Sequence, residues 1–74
     1  MEEFLKNFAA QWDETEASEF TPECAFHELE EWSSLVGLAI LNMIVKKYGV
    51  KVAPAELKAC VTIDDVYQLV QSKI

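Results

Sequence analysis

Eleven consecutive residues, Leu35 to Val45, read Leu-Val-Gly-Leu-Ala-Ile-Leu-Asn-Met-Ile-Val, and Asn42 is their only polar side chain. Ser33 and Ser34 precede the run; Lys46, Lys47, Tyr48 and Gly49 follow it. These flanks predict a helix over residues 34–48. A serine caps its start, a glycine stands just past its end, and two lysines suit the negative end of its dipole. The apolar run is too short to cross a bilayer, and a helix apolar on every side is normally surrounded by protein. A chain of 74 residues has room for only three more helices, one of them short. Those cover about two thirds of the circumference of such a helix. Apolar surface at Leu35, Val36, Ala39 and Met43 is therefore expected to stay exposed, and a patch of that kind marks a docking surface. Periodicity alone equally allows full burial beneath a loop.

The remaining elements follow from spacing and caps. Phe4, Leu5, Phe8 and Trp12 make one apolar stripe of a first helix, Glu2 to Asp13. Residues 14–31 read as a long acidic loop, and loops of that length are usually functional or anchored. Phe20, Phe26 and Leu29 are the expected anchors, and Pro22 to Ala25 is the place for a short helical turn. Val50 to Val52 reads as an extended connector. Pro54 opens a short third helix over Ala55–Ala59. Thr62, forming a capping box with Asp65, opens a fourth carrying Ile63, Val66, Tyr67, Val70 and Ile74. The expected fold is all-α: a small four-helix bundle, one domain over residues 1–74, with a long loop between helices 1 and 2 and a short helix 3.

Charge narrows the partners. Residues 1–31 hold ten acids and one base, a net −9; residues 32–74 hold three acids and five bases, a net +2. The sum of −7 repels phosphate backbones and anionic membranes, so nucleic acid binding and membrane insertion are disfavoured. Basic protein partners are favoured, because opposite fields speed encounter. Cys24 and Cys60 lie far apart, and no signal-peptide pattern opens the chain. Reduced thiols and a cytoplasmic location are expected.

Ser33-Ser34-Leu35 at the head of the apolar helix has a plain reading, in which one serine is an N-cap. It also has a chemical one. A hydroxyl exposed at the positive end of a helix dipole, near free backbone N–H groups, suits a phosphodiester. The stretch Phe26-x-x-Leu29-x-x-Trp32-Ser33-Ser34-Leu35 resembles the segment around the modified serine of the acyl and peptidyl carrier proteins. The match continues through the apolar helix, Tyr48-Gly49-Val50, a Pro/Glu-containing short helix and Thr62-Ile63-Asp64-Asp65-Val66. It spans residues 20–70, and the first helix fits too.

The resemblance implies an acyl-carrier-like fold and function. A phosphopantetheinyl transferase would attach 4′-phosphopantetheine to Ser34, and the arm's thiol would hold acyl groups as thioesters. Acyl-loading and acyl-using enzymes of fatty acid, polyketide or related biosynthesis would be the partners of a monomer that performs no catalysis itself. Ile40, Leu41, Ile44, Tyr48, Val52 and Val66 would line an acyl pocket, although all six read equally well as core. Two departures stand out. Ser33 replaces the acid usual before the modified serine, leaving two hydroxyls, of which alignment with Leu35 favours Ser34. The second helix also lacks the acids the family commonly uses to dock basic enzymes; here acids stand upstream, with Glu30 and Glu31 as docking candidates beside the serine.

Other constellations carry less. Cys24-x-x-His27 falls short of the four ligands a structural zinc site needs, so no metal is expected. No paired acid and base shares one predicted rigid element, which disfavours an independent enzyme. Trp12 and Trp32 read as core lids, with Trp32 a candidate shield for the serine. The competing functions are an unmodified four-helix interaction domain and a peptidyl or aminoacyl carrier.

Overall fold

The four expected helices form, and two of them start on predicted side-chain caps, Ser33 and Thr62. The computed structural model describes residues 1–74, with α1 over Glu2–Ala9, α2 over Ser34–Tyr48, α3 over Pro54–Ala59 and α4 over Ile63–Lys73. The structure is all-α. No helix is long and apolar enough to cross a membrane.

Helix α2 has the predicted bounds. At its far end Gly49 adopts φ 69° and its N–H donates to the Val45 carbonyl at 3.0 Å. That left-handed conformation disfavours a Cβ. Gly49→Ala should therefore lower stability by about 1 kcal/mol, read as a lower urea midpoint with unchanged slope. In α4 the capping box forms: Asp65 N–H donates to Thr62 Oγ1 at 3.2 Å, and Thr62 N–H donates to Asp65 Oδ2 at 3.0 Å. In α3 the cap residue, Ala53, has no side-chain oxygen, so only Glu56 reaches back, accepting from Ala53 N–H at 2.9 Å. Lys73 ties α4 to that same Glu56 at 3.1 Å.

Helix α1 is shorter than its apolar stripe. It stops at Ala9, and tighter turns carry the chain to Trp12. A carboxylate far away in sequence holds the amides that follow. Glu31 accepts from the N–H groups of Asp13, Glu14 and Thr15 at 2.6, 2.9 and 2.7 Å, and from the Thr15 hydroxyl at 2.7 Å. Three successive amides aimed at one carboxylate cannot also continue a helix. Burial pushes the Glu31 carboxyl up, but these four hydrogen bonds outweigh it and hold it at about 2. Its folded value lies below the ordinary 4.5, so the clamp stabilises above pH 4.5 and is lost as pH falls towards 2. The stability of the native protein should drop through that window. Glu31→Gln, less stable at neutral pH, should lose less there, as denaturation midpoints taken across pH would show.

The acidic loop is stitched rather than loose. Short 3₁₀ turns form at Ala17–Glu19 and Phe26–Glu28, not at Pro22–Ala25, where the chain makes only an isolated turn. The carbonyls of Cys24 and Pro22 accept from Ile63 and Asp64 N–H at 3.2 and 2.9 Å. They thus satisfy donors that the first turn of α4 cannot pair internally. Phe20 and Phe26 are buried as anchors, and Leu29 is half-buried. Phe26 meets Phe8 edge-to-face at 5.3 Å and Trp32 at 5.5 Å, while Trp12 lies 5.3 Å from Phe20 and 6.1 Å from Trp32. One continuous core results: aromatic where α1 meets the loop, and aliphatic in Ile40, Ile44, Val66 and Val70.

Candidate functional site

The two serines at the head of α2 have different tasks. Ser33 has an extended backbone, and its Oγ accepts from Val36 N–H at 3.4 Å, so it is the N-cap. Its carbonyl accepts from Gly37 N–H at 3.0 Å, which leaves the N–H groups of Ser34 and Leu35 without an intrahelical partner. Ser34 is the first helical residue and is exposed. No acid occupies the first turn. The positive end of the dipole is therefore uncompensated, with an open hydroxyl on it.

Beside Ser34 runs a groove of about 340 Å³ between α2 and α3. Gly37, Leu38 and Leu41 form its α2 wall, and Pro54, Leu57 and Lys58 its α3 wall. His27 and Trp32 close it from the loop side. Trp32 lies so close to α2 that a Cβ on Gly37 would stand 3.1 Å from its Cη2. The glycine inside an otherwise bulky helix thus lets the indole seat one turn beyond Ser34. His27 is sandwiched at 4.2 Å from Phe26 and 4.4 Å from Trp32, and its Nε2 meets the Leu57 carbonyl at 3.2 Å, bridging the loop to α3. This nitrogen, weighed above as a zinc ligand, is engaged in holding the groove's wall.

The structure moves several expected residues. Met43 does not stay exposed: it is 4% accessible, because it faces inward with Ile40 and Ile44. Val36 and Ala39 are half-buried. Leu35 is exposed at 77%, joined by Leu38 at 55% and Val45 at 48%, neither of which was expected. At 100° per residue the exposed set and Asn42 share one stripe, about a quarter turn from the stripe first drawn. Asn42 was the available signal: an uncharged polar residue in an apolar helix marks the wet side. Of the six acyl-pocket candidates only Leu41 lines the groove. Ile40, Ile44, Val52 and Val66 are closed core, and Tyr48 is half-buried, with its hydroxyl accepting from Asn7 Nδ2 at 3.2 Å. Glu30 is exposed, but Glu31 is committed to the loop clamp and is not free for docking.

Both cysteines are free. Burial first, then Glu19, pushes the Cys24 thiol up; burial, then Asp65 and Glu56, does the same for Cys60. Neither is poised as a nucleophile.

An exposed serine on a helix tip, freed by a neighbouring cap and flanked by an apolar groove, suits a covalently held phosphate ester. Residues 3–70 match the family described as "Phosphopantetheine attachment site". The chain belongs to that family. Polyketide-8 synthase acyl carrier protein 2 of Streptomyces avermitilis is 32% identical over 72 residues, which make up 97% of this chain and 83% of that protein. No solved structure matches it. This phosphopantetheine carrier has the role of an acyl carrier protein, and its cofactor is a covalently attached 4′-phosphopantetheine.

Proposed function

We propose that Ser34 is the attachment point and that residues 1–74 act as one non-catalytic carrier unit. The observation that carries this assignment is the division between the two exposed serines: Ser33 Oγ accepts from Val36 N–H as the N-cap, while Ser34 has no such bond and lines the groove. In the loading step Ser34 Oγ forms a bond to the phosphorus of the phosphopantetheine half of coenzyme A. The pyrophosphate linkage breaks, the nucleotide half leaves, and the serine proton passes to a base of the transferase. The group supplies a terminal thiol that holds acyl groups as thioesters. The chain itself contributes an anchoring oxygen, N–H groups and a helix dipole facing the phosphodiester, and a groove in which the arm's first carbons can rest against Leu38, Leu41 and Leu57.

The partners are a phosphopantetheinyl transferase and the enzymes that load and use the acyl group. Similarity to a polyketide synthase carrier supports polyketide assembly as the pathway, and two free thiols support a reducing, cytoplasmic setting. Intact-mass measurement after incubation with coenzyme A and a broad-specificity transferase tests this reading, followed by fragmentation of the peptide containing residues 33–35. A gain of one phosphopantetheinyl group located on Ser34 is expected. No gain with several transferases, or a gain located elsewhere, would refute the assignment.

A further inference from the structure

Thirteen acids are spread through this chain, yet none lines the groove beside Ser34. Lys58 brings that groove its one ammonium. It stands exposed in the last turn of α3. The residue before it is fixed twice: Leu57 is buried, and its carbonyl meets His27 Nε2 at 3.2 Å. Lys58 is also uncommitted. The chain's single ion pair joins Lys73 to Glu56, and Glu28, which borders the neighbouring hollow together with Lys58, does not pair with it. An ammonium and the head of α2 therefore border one acid-free groove, and both favour negative charge there.

We propose that Lys58 is the arm's own counter-ion: in the loaded protein its ammonium pairs with the phosphodiester on Ser34. This rests on Ser34 being the attachment point. The pairing draws the phosphate toward α3, so the arm leaves Ser34 along the groove, over Leu41 and Leu57, and not outward into solvent. Lys58 is thus a positioning residue. A phosphodiester keeps its single negative charge through neutral pH, so salt governs the pairing and pH near neutrality does not. Charges this exposed are screened over about 8 Å at physiological salt. The hold is accordingly light, and a partner enzyme offering its own cations can lift the arm away.

Urea unfolding of the fully loaded and the unloaded protein, each confirmed by intact mass, measures the pairing. Loading should stabilise the native protein, and Lys58→Gln should remove about two- to fivefold of that gain in the unfolding equilibrium constant at low salt. Lys58→Arg, which keeps the cation, should retain the gain. So should Lys46→Gln, a change about 18 Å from Ser34 along α2. Lys58 also complements the dipole of α3, but it does so in both forms, and that contribution cancels in the difference. At high salt the native protein and Lys58→Gln should gain equally. In nuclear magnetic resonance of the loaded protein, the arm's geminal methyl groups should show cross-relaxation with Leu41 or Leu57, weakened in Lys58→Gln. A gain unaltered by Lys58→Gln at low salt, an equal loss in Lys46→Gln, or an arm without these contacts in the native protein overturns the proposal while leaving Ser34 as the attachment point. Failure of the native protein to accept phosphopantetheine at all overturns the carrier reading and this proposal together.

Discussion

After incubation with coenzyme A and a phosphopantetheinyl transferase, Ser34→Ala should remain entirely at its unmodified mass, while Ser33→Ala should still be converted. The effect is all or none, because an alanine offers no oxygen to phosphorus. Its interpretation is clean because the two serines differ in structural duty. Ser34 is exposed at the first helical position, where a surface substitution shifts stability by less than about 0.5 kcal/mol. A loss of loading in that variant therefore reports chemistry, not unfolding. Ser33 holds the N-cap bond to Val36, and replacing a cap by alanine costs about 1 kcal/mol. Ser33→Ala should thus be less stable and, with a frayed first turn, slower to load, yet it should reach full conversion. Conversion of Ser34→Ala together with failure of Ser33→Ala would transfer the site to the other hydroxyl.

The second large effect is on stability. Phe26→Ala should cost about 3–5 kcal/mol. Proteins are stable by roughly 0.05–0.15 kcal/mol per residue, so a chain of this length has about 4–11 kcal/mol in total. Removing a side chain with no solvent exposure that touches α1 through Phe8 and the groove through Trp32 and His27 therefore consumes about a quarter of the whole or more. The expected readout is a urea midpoint well below that of the native protein, with loss of the near-ultraviolet dichroism of the tryptophans. Phe26→Leu, which keeps most of the apolar volume, should cost much less. A change of under 1 kcal/mol for the alanine variant would show that the loop's anchorage lies elsewhere.

The comparison between α1 and α2 shows what local sequence specifies. The bounds of α2 were readable because its punctuation is local: a serine before, lysines in the last turn, a glycine after. The end of α1 was not, because no local cap marks it, and the amides just beyond it are held by Glu31 from 16 to 18 residues away. The apolar stripe of Phe4, Phe8 and Trp12 persists past that end, since a tightened turn still carries Trp12 into the core. Ser34 was readable as a candidate from its place at the helix start and before Leu35, and the bond from Val36 N–H to Ser33 Oγ supports the same choice. The exposed side of α2 was drawn a quarter turn off: Met43 is buried, and Leu38 and Val45 are exposed. A helix apolar all round has little amphipathic signal to orient it, and only Asn42 carried the information. The groove was missed because its walls come from the loop, α2 and α3 together, and of the acyl-pocket candidates only Leu41 lines it.

The bare first turn of α2 has a consequence for the protein's lifetime. With no carboxylate in that turn, the helix lacks an anion worth about 0.3–1 kcal/mol at such a place, and installation of the arm on Ser34, as proposed, brings one. Newly made copies should accordingly fray there more often than finished ones. A protease sampling a mixed pool would remove blank molecules first, so that degradation itself enriches the pool in working carriers.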